Sequence, residues 1–572
     1  MSKVLPGIIV TIILGILLFL AWEGWIAGLT PSTFCATAFP ALALIGLNLI
    51  FGVVGMLAFG QAAFMALPAY FAGIMDRMGV PLLLALPLAL VLVVLLARFM
   101  AEILVRLPGV YLAVGTLGFG MVVEGLARAF PAWTGGASGL VFEHGRDLGT
   151  AAWCLIALIA LSLGIASYAW YVRGAVWRRL RAIRHDELAA SVLGIDVHRE
   201  KAKIFTIGSA YSAVGGLLLF YYVGVLIPED AGVVRSLEQI GTLLLGGAGF
   251  LAGPIIGAFL IDWFFVISGY AARYELLIYG ATFLGVVMYA PQGVSGLLIR
   301  PWQRLLGKQS ATAEATEQAP RAPIASMSDG DDVSSCLVLR DVSQAFGGVH
   351  ALSNVSFEVK SGEVFSLVGP NGAGKTTLFN IVSGILRPTS GRVLLRGVDI
   401  TGLPVNRRAA LIGRSFQTPR LVPELSVLAN VMLRADQIFP RLSEAERRTI
   451  ALDQLKIFAL EGLSYQTVGE VGLGQRKLID IARAAVGHPP LVLLDEPAVG
   501  LADGELSHLS QMIGKLSAQG CAVVIVEHNI EFVSNVASRG LVLDSGKPIA
   551  QGALRDIMAQ ATVKAVYFGA LS

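Results

Sequence analysis

The sequence predicts an α-helical polytopic membrane domain joined to a soluble α/β domain of the phosphate-loop type. Three observations carry this. Of 572 residues, 55% are hydrophobic and 15% charged, with a mean hydropathy of +0.71, a balance that places much of the chain in lipid. The long apolar runs all precede Pro301. Beyond them, Gly369-Pro-Asn-Gly-Ala-Gly-Lys-Thr-Thr377 follows the apolar strand Val364–Val368 and opens a helix, the setting in which a glycine-rich turn wraps phosphates. The net charge of +3 says little until it is located, and Cys35, Cys154, Cys336 and Cys521 have no metal-ligand spacing.

Lys3 and the apolar run Val4–Leu20 have the look of a secretory leader, but no small-residue cleavage site follows. Trp22-Glu23-Gly24-Trp25 reads instead as an interfacial anchor, so the run is expected to be a retained first span. Further apolar stretches lie at 34–54, 56–75, 80–105, 108–130, 150–172, 203–227, 237–267 and 275–291. Between Arg173 and Lys203 stand Arg178, Arg179, Arg181, Arg184, Arg199 and Lys201, the densest basic loop of this half. The positive-inside bias makes that loop cytoplasmic and puts 131–149 on the opposite side. Arg300, Arg304 and Lys308 mark a second cytoplasmic end, because an ATP-dependent domain follows.

Parity then constrains 237–267. One span there would leave the ATPase outside the cell, while two full crossings need roughly 40 residues and the stretch has 31. Its core, Gly246-Gly247-Ala248-Gly249 with Gly253-Pro254 and Gly257, suits a re-entrant or broken helix; a glycine-rich helix-packing face is the alternative. The expected count is about eight spans plus this segment. Residues 306–335 are rich in Ala, Ser, Thr and Pro without apolar periodicity, as in a flexible linker. The expected domains are 1–305 in the membrane, the linker 306–335, and a nucleotide-binding domain at 336–572.

The phosphate-loop chemistry follows from residue types. Gly369, Gly372 and Gly374, with Asn371 between them, let backbone N–H groups turn inward; Lys375 reaches the β/γ oxygens, and Thr376 offers a hydroxyl to Mg²⁺. The apolar strand Leu491–Leu494 ends in Asp495-Glu496, where Asp495 suits the Mg²⁺ shell and Glu496 the base that polarises water. A third strand, Ala522–Val526, ends in Glu527-His528. Beside the other strand ends, His528 can reach a γ-phosphate.

This order of features resembles the ATP-binding-cassette ATPases across 337–569. The resemblance implies roles for further residues. Phe346 matches the aromatic that stacks on adenine, Thr377 completes the phosphate loop, and Gln417 links Mg²⁺ and water to the membrane domain. Val471-Gly472-Leu473-Gly474-Gln475 matches the signature segment, so that Gly472, Gly474 and Gln475 face the opposite subunit's nucleotide; His528 matches the switch histidine. Phe346-Gly347-Gly348, Ser415–Leu421 and Ala565–Gly569 are similar to the branched-chain amino-acid importer ATPases. Two positions depart from the family pattern: Gly472 replaces the usual serine, and Ala502, followed by Asp503, replaces an acidic or amide residue. The first departure is compatible with a heterodimer whose partner supplies the serine, or with a tolerated glycine.

The membrane half resembles the permease subunits of the same importers in Leu57–Phe64 with Ala69-Tyr70, Leu107–Leu112, Thr134–Gly136 with Gly139-Leu140, Arg181–Gly194, and Gly246-Gly247 through Gly257-Ala258. In Arg181–Gly194, small residues allow a short helix to seat on the ATPase near Gln417. Among polar residues of the spans, Glu124 with Arg128 and Arg98 with Glu102 stand at i,i+4 and are expected to neutralise each other. Asp262 has no partner at such spacing. The resemblance implies a bacterial inner-membrane, multi-pass importer with its ATPase in the cytoplasm. It would use ATP and Mg²⁺ to take up branched-chain amino acids or a similar small solute such as urea, an amide or an aromatic acid. One membrane domain and one cassette require a second permease and a second ATPase subunit, as a homodimer or from heteromeric partners. A periplasmic solute-binding protein and membrane lipid complete the expected partners, and nucleic acid is not among them. The competing functions are an exporter-type half-transporter and an ATP-regulated channel or non-transporting membrane ATPase.

Overall fold

The computed structural model describes residues 5–25, 29–142, 148–268, 274–290, 292–297, 335–560 and 562–563. Lys3, Arg300, Arg304, Lys308, the ending 565–569 and all of the expected linker 306–335 except Ser335 lie outside them. The chain divides into two compact units, Met1–Leu180 with His198–Glu314, and Arg181–Val197 with Ala315–Ser572.

Helices fill the first part of the chain: α1 (Leu5–Trp22), α2 (Pro31–Leu47), α3 (Gln61–Arg77), α4 (Leu82–Leu104), α5 (Gly109–Ala129), α6 (Thr150–Tyr171), α7 (Gly174–His185), α8 (Glu187–Val192), α9 (Val197–Val223), α10 (Val233–Gly246), α11 (Gly253–Ser268) and α12 (Glu275–Tyr289). Among the described residues five helices are long and apolar enough to cross a membrane: Pro31–Val53, Leu82–Leu104, Gly109–Ala129, Thr150–Tyr171 and Val197–Val223. By length and composition, five of the eight expected spans are thus picked out among the described residues. The expected span at 56–75 is α3, which has 17 residues, and the one at 275–291 is α12, with 15.

The stretch 237–267 is neither one span nor two. It is a pair of short helices, α10 and α11, separated by a break whose residue Gly247 has φ +112°, a backbone that L side chains avoid. The two helices fold back on each other: a side-chain carbon at Gly246 would collide with the Gly253 carbonyl, and one at Gly257 with the Thr242 carbonyl. The glycines thus break the helix and also form its packing face, so the two sequence alternatives are both realised. Asn48 holds the break in place. It opens the π-helical turn Asn48–Val53 after α2, accepts from Gly249 N at 2.7 Å and donates to Phe250 O at 2.9 Å. One buried amide so satisfies irregular backbone that lipid could not. The i,i+4 pairs form as expected and gain partners from other helices: Glu102 also meets His198 at 3.0 Å, and Arg128 meets Glu229 at 2.6 Å.

The second unit contains two sheets. Strands β1 (Ser335–Phe346), β2 (Val349–Lys360), β4 (Ser390–Leu395) and β5 (Val398–Asp399) form an antiparallel sheet in the order β2-β1-β4-β5. Strands β3 (Val364–Val368), β6 (Ile412–Arg414), β7 (Leu491–Asp495), β8 (Ala522–Val526), β9 (Arg539–Asp544) and β10 (Lys547–Ala553) form the other, in the order β10-β9-β3-β8-β7-β6. It is parallel except for β10. Its central strands are buried throughout, as a sheet covered on both faces requires. Val492, Leu494, Val523 and Ile525 enter one hydrophobic core, while Leu491, Leu493, Ala522 and Val524 enter another. Helices α13 (Lys375–Ser383), α14 (Val427–Ile438), α15 (Glu444–Ile457), α16 (Leu473–Ala484), α17 (Asp503–Ala518) and α18 (Ile530–Val536) complete the unit.

Candidate nucleotide-hydrolysis site

Strand register assembles the site. Val526 stands opposite both Leu367 and Asp495, so the ends of β3, β7 and β8 lie side by side and deliver Gly369, Glu496 and His528 to one edge. Gly374, with φ +98° and only 2.7 Å between its added-carbon position and the Ala351 carbonyl, caps α13 where no side chain fits. Asn371, Gly372 and Thr376 are exposed along the loop, and Thr377 is half-buried behind them. Lys375 Nζ donates to the carbonyls of Gly369 and Pro370 at 2.6 and 2.8 Å. Burial lowers its pKa, and Glu496 and Asp495 oppose that shift.

Glu496 is the hub. Gln417 Nε2 donates to its Oε2 at 2.7 Å, and His528 Nε2 lies 3.3 Å from its Oε1. Its backbone is left-handed, with φ +47°, a strained conformation for a residue with a side chain. Two bonds hold it there: Glu496 N donates to Val526 O at 2.8 Å, and Lys477 Nζ donates to Glu496 O at 3.0 Å. Asp495 is buried beside it, and burial raises its pKa against the pull of Arg414 and Lys375. Among the described residues no cluster of three His, Cys, Asp or Glu side chains can hold a metal. The oxygen set of Thr376, Gln417 and Asp495 suits Mg²⁺, a hard cation that takes one or two carboxylates and completes its shell with phosphate and water.

Phe346, Gly472, Gly474 and Gln475 stand apart from this cluster. Phe346 ends β1 and is half exposed. Gly472 is the N-cap of α16, with φ −62° and ψ 155°. Ser426 and Ser443 cap α14 and α15 at nearly the same angles, and nothing lies closer than 4.0 Å to the position of a Gly472 side-chain carbon. Neither backbone nor packing requires glycine there. At Gly474, by contrast, an added carbon would fall 2.5 Å from the Glu505 carboxylate, which also accepts from Ala502 N at 3.0 Å.

Several residues of this region escaped the sequence reading. Lys477 ties the signature helix to Glu496. Glu527, whose pKa burial raises, accepts from the backbone N–H groups of Ala498, His528 and Asn529. Asp480 and Arg483 form a buried ion pair on α16; Asp480 accepts from Phe416 N at 3.1 Å, and Arg483 donates to Arg420 O at 3.0 Å. The signal was a pair of opposite charges at i,i+3 inside Leu478–Ala484, an otherwise apolar stretch. The segment Arg181–Val197 belongs to this same unit. Asp186 caps α8 and bonds Arg420 at 2.6 Å, while Ala189 and Val192 pack on Phe416, whose ring Arg414 and Arg420 flank. The contact expected near Gln417 is therefore present one residue away.

Residues 352–499 match the family described as "ABC transporter", and residues 33–288 match "Branched-chain amino acid transport system / permease component". The chain is 34% identical over 249 residues to the high-affinity branched-chain amino acid transport ATP-binding protein LivG of Salmonella typhimurium, covering 41% of this chain and 97% of that protein. The chain belongs to the ABC transporter family. The branched-chain amino acid transport ATP-binding protein BraF of Pseudomonas aeruginosa is 32% identical over 248 residues, 41% of this chain and 97% of its own. The lipopolysaccharide export system ATP-binding protein LptB of Haemophilus influenzae is 33% identical over 236 residues, 41% and 98% of the two chains. This ABC transporter chain joins a branched-chain-type permease domain to an ATPase, and its cassette binds ATP and couples hydrolysis to transport.

Proposed function

We propose that this chain is the permease–ATPase half of an importer that brings branched-chain amino acids, or a similar small solute, across the bacterial inner membrane. The permease occupies 1–305, a linker 306–335, and the cytoplasmic cassette 336–572. A second permease and a second ATPase subunit, with a periplasmic binding protein, complete the machine.

The observation that carries the reading is the permease match at 33–288 in the same chain as the cassette. The cassette alone does not choose a direction, since its relatives carry both transport and export names.

In this reading Lys375 and the loop amides of Gly369, Asn371, Gly372, Gly374 and Thr377 hold phosphates, and Phe346 stacks on adenine. Thr376, Gln417 and Asp495 hold Mg²⁺, which when bound screens the phosphate charge. Glu496 accepts the proton of the attacking water, and His528 steadies the γ-phosphate from the opposite carboxylate oxygen. The bond from Gln417 to Glu496 places the metal-side amide on the base itself. Gly472, Gly474 and Gln475 face the nucleotide of the partner cassette, where α16 presents its N-terminal amides. The chain Asp186–Arg420–Arg483–Asp480–Phe416 connects the cytoplasmic loop to the residue before Gln417.

The test is ATP turnover by the transporter assembled with its binding protein in vesicles. Leucine delivered by that protein should raise turnover; solute-independent turnover would defeat the importer reading.

A further inference from the structure

The four cysteines are scattered along the sequence, yet the fold brings two of them together. Cys35 stands on α2 and Cys154 on α6, each the fifth residue of its helix. Their sulfurs lie 3.3 Å apart although the residues are 119 positions apart in sequence, and both side chains are buried. Cys336 and Cys521 belong to the cassette unit.

The seam that carries the pair is held along its length. Further along both helices, Asn48 Nδ2 donates to the Tyr168 hydroxyl at 3.3 Å, so α2 and α6 run in the same direction. Between these two contacts, a side-chain carbon at Gly164 would fall 2.4 Å from Leu42 Cδ1. Helices packed this closely leave the sulfurs little room to part. Bonded sulfurs stand about 2.05 Å apart, so the gap left to close is about 1.25 Å.

The pair also lies at a defined end of the unit. Helix α9 begins at Val197 beside Arg199, Lys201 and Lys203 and has 27 residues, a length of about 40 Å. Its far end reaches the cysteines. Tyr222 donates its hydroxyl to Ser32 O at 3.1 Å, and its ring centre lies 5.5 Å from that of Trp153. Basic residues mark the cytoplasmic side, which places the two thiols near the outer end, where disulfides form and persist.

We propose that Cys35 and Cys154 are a disulfide site, oxidised in the cell to a covalent staple between α2 and α6. The inference rests on the orientation in the importer reading, which puts this end toward the periplasm. The electron acceptor is a protein disulfide of that compartment. The thiolate of one cysteine attacks it, its S–S bond breaks and one oxidant thiol leaves. The thiolate of the other cysteine then attacks the mixed disulfide and releases the second oxidant thiol. Two electrons pass to the oxidant, and the two protons lost by the cysteines complete its dithiol. Both sulfurs are covered once the helices are packed. Exchange therefore precedes the closing of α2 on α6, and the finished bond is shielded from reductants. Cys336 and Cys521 stand in the reducing cytoplasm and stay thiols.

The experiment uses the full chain in its native bacterial membranes, quenched in acid, denatured in detergent and labelled with maleimide before and after reduction. Of the four cysteines, two should label before reduction and all four after it. Mass spectrometry should find the peptide pair joining Cys35 to Cys154 in the unreduced sample only. Cys35→Ser should raise the count before reduction from two to three, because Cys154 loses its partner. Four labelled cysteines before reduction, or a linked Cys154 that persists in Cys35→Ser, would overturn the staple. Orientation is read separately with Ser138→Cys, on the exposed turn Gly136–Ser138, in a chain that also carries Cys35→Ser and Cys154→Ser. A membrane-impermeant maleimide should label it in spheroplasts. No label there would break the orientation that the importer reading requires. Label there, with four free thiols in the parent, would overturn the disulfide alone.

Discussion

The nucleotide cluster and the permease seam between α2 and α6 are built by opposite means. In the cassette, three adjacent strands end at one edge, and Glu496 and His528 lie within two residues of their strands' ends. In the permease, Cys35 meets Cys154 and Asn48 meets Tyr168 across 119 and 120 positions of sequence. The first arrangement writes its chemistry into short contiguous phrases. The second stores it in helix packing, so it emerges only when α2 and α6 lie side by side.

The sharpest test of that contrast is Glu496→Gln. An amide keeps the bonds to Gln417 and His528 within reach but cannot take a proton. ATP hydrolysis should fall about 10²–10⁴-fold while ATP still binds, measured by single-turnover hydrolysis beside equilibrium binding. Parental hydrolysis would remove Glu496 from the role of base. Lys375→Ala should weaken ATP binding by about 10–100-fold, the range of one charge-assisted phosphate contact, read by nucleotide titration.

The loop Arg181–Val197 belongs to the cassette unit. Asp186→Arg turns the bond with Arg420 into repulsion at a partly exposed site, where a pair is worth about 1 kcal/mol at most. Solute stimulation of ATP turnover should drop about fivefold. Unchanged stimulation would mean that the Asp186–Arg420 contact does not carry the coupling.

These regions also differ in how far the sequence exposed them. The phosphate loop, the Asp495-Glu496 strand end and His528 were all readable, because a local phrase sets both their chemistry and their position. Lys477 and the bonds of Asp480 and Arg483 to Phe416 N and Arg420 O were not, since those partners come from other parts of the chain. In the membrane half the broken helix was legible from its glycines and from topological parity. Asn48 carried no sequence signal at all; its bonds to Gly249 and Phe250 reach residues some 200 positions away.

Asn48→Ala probes that hidden part. It strips the partners from Gly249 N and Phe250 O, and the thermal stability of the purified chain should drop by about 1–2 kcal/mol, with ATP binding to the cassette retained. Gly472→Ser should have the smallest effect. A serine at this N-cap exceeds glycine by only a few tenths of a kcal/mol, and the site has room for it. If the partner cassette supplies the serine that completes the active site, turnover rises little. A large gain would show that both sites of the assembled transporter receive this chain's own signature segment.

The direction of transport is the central claim and can be measured directly. Proteoliposomes holding the assembled transporter with cassettes outward are loaded with binding protein and labelled leucine, and ATP is added outside. The account predicts ATP-dependent loss of leucine from the lumen toward the ATPase side, absent with Glu496→Gln. ATP-dependent retention or accumulation of leucine in the lumen would contradict it.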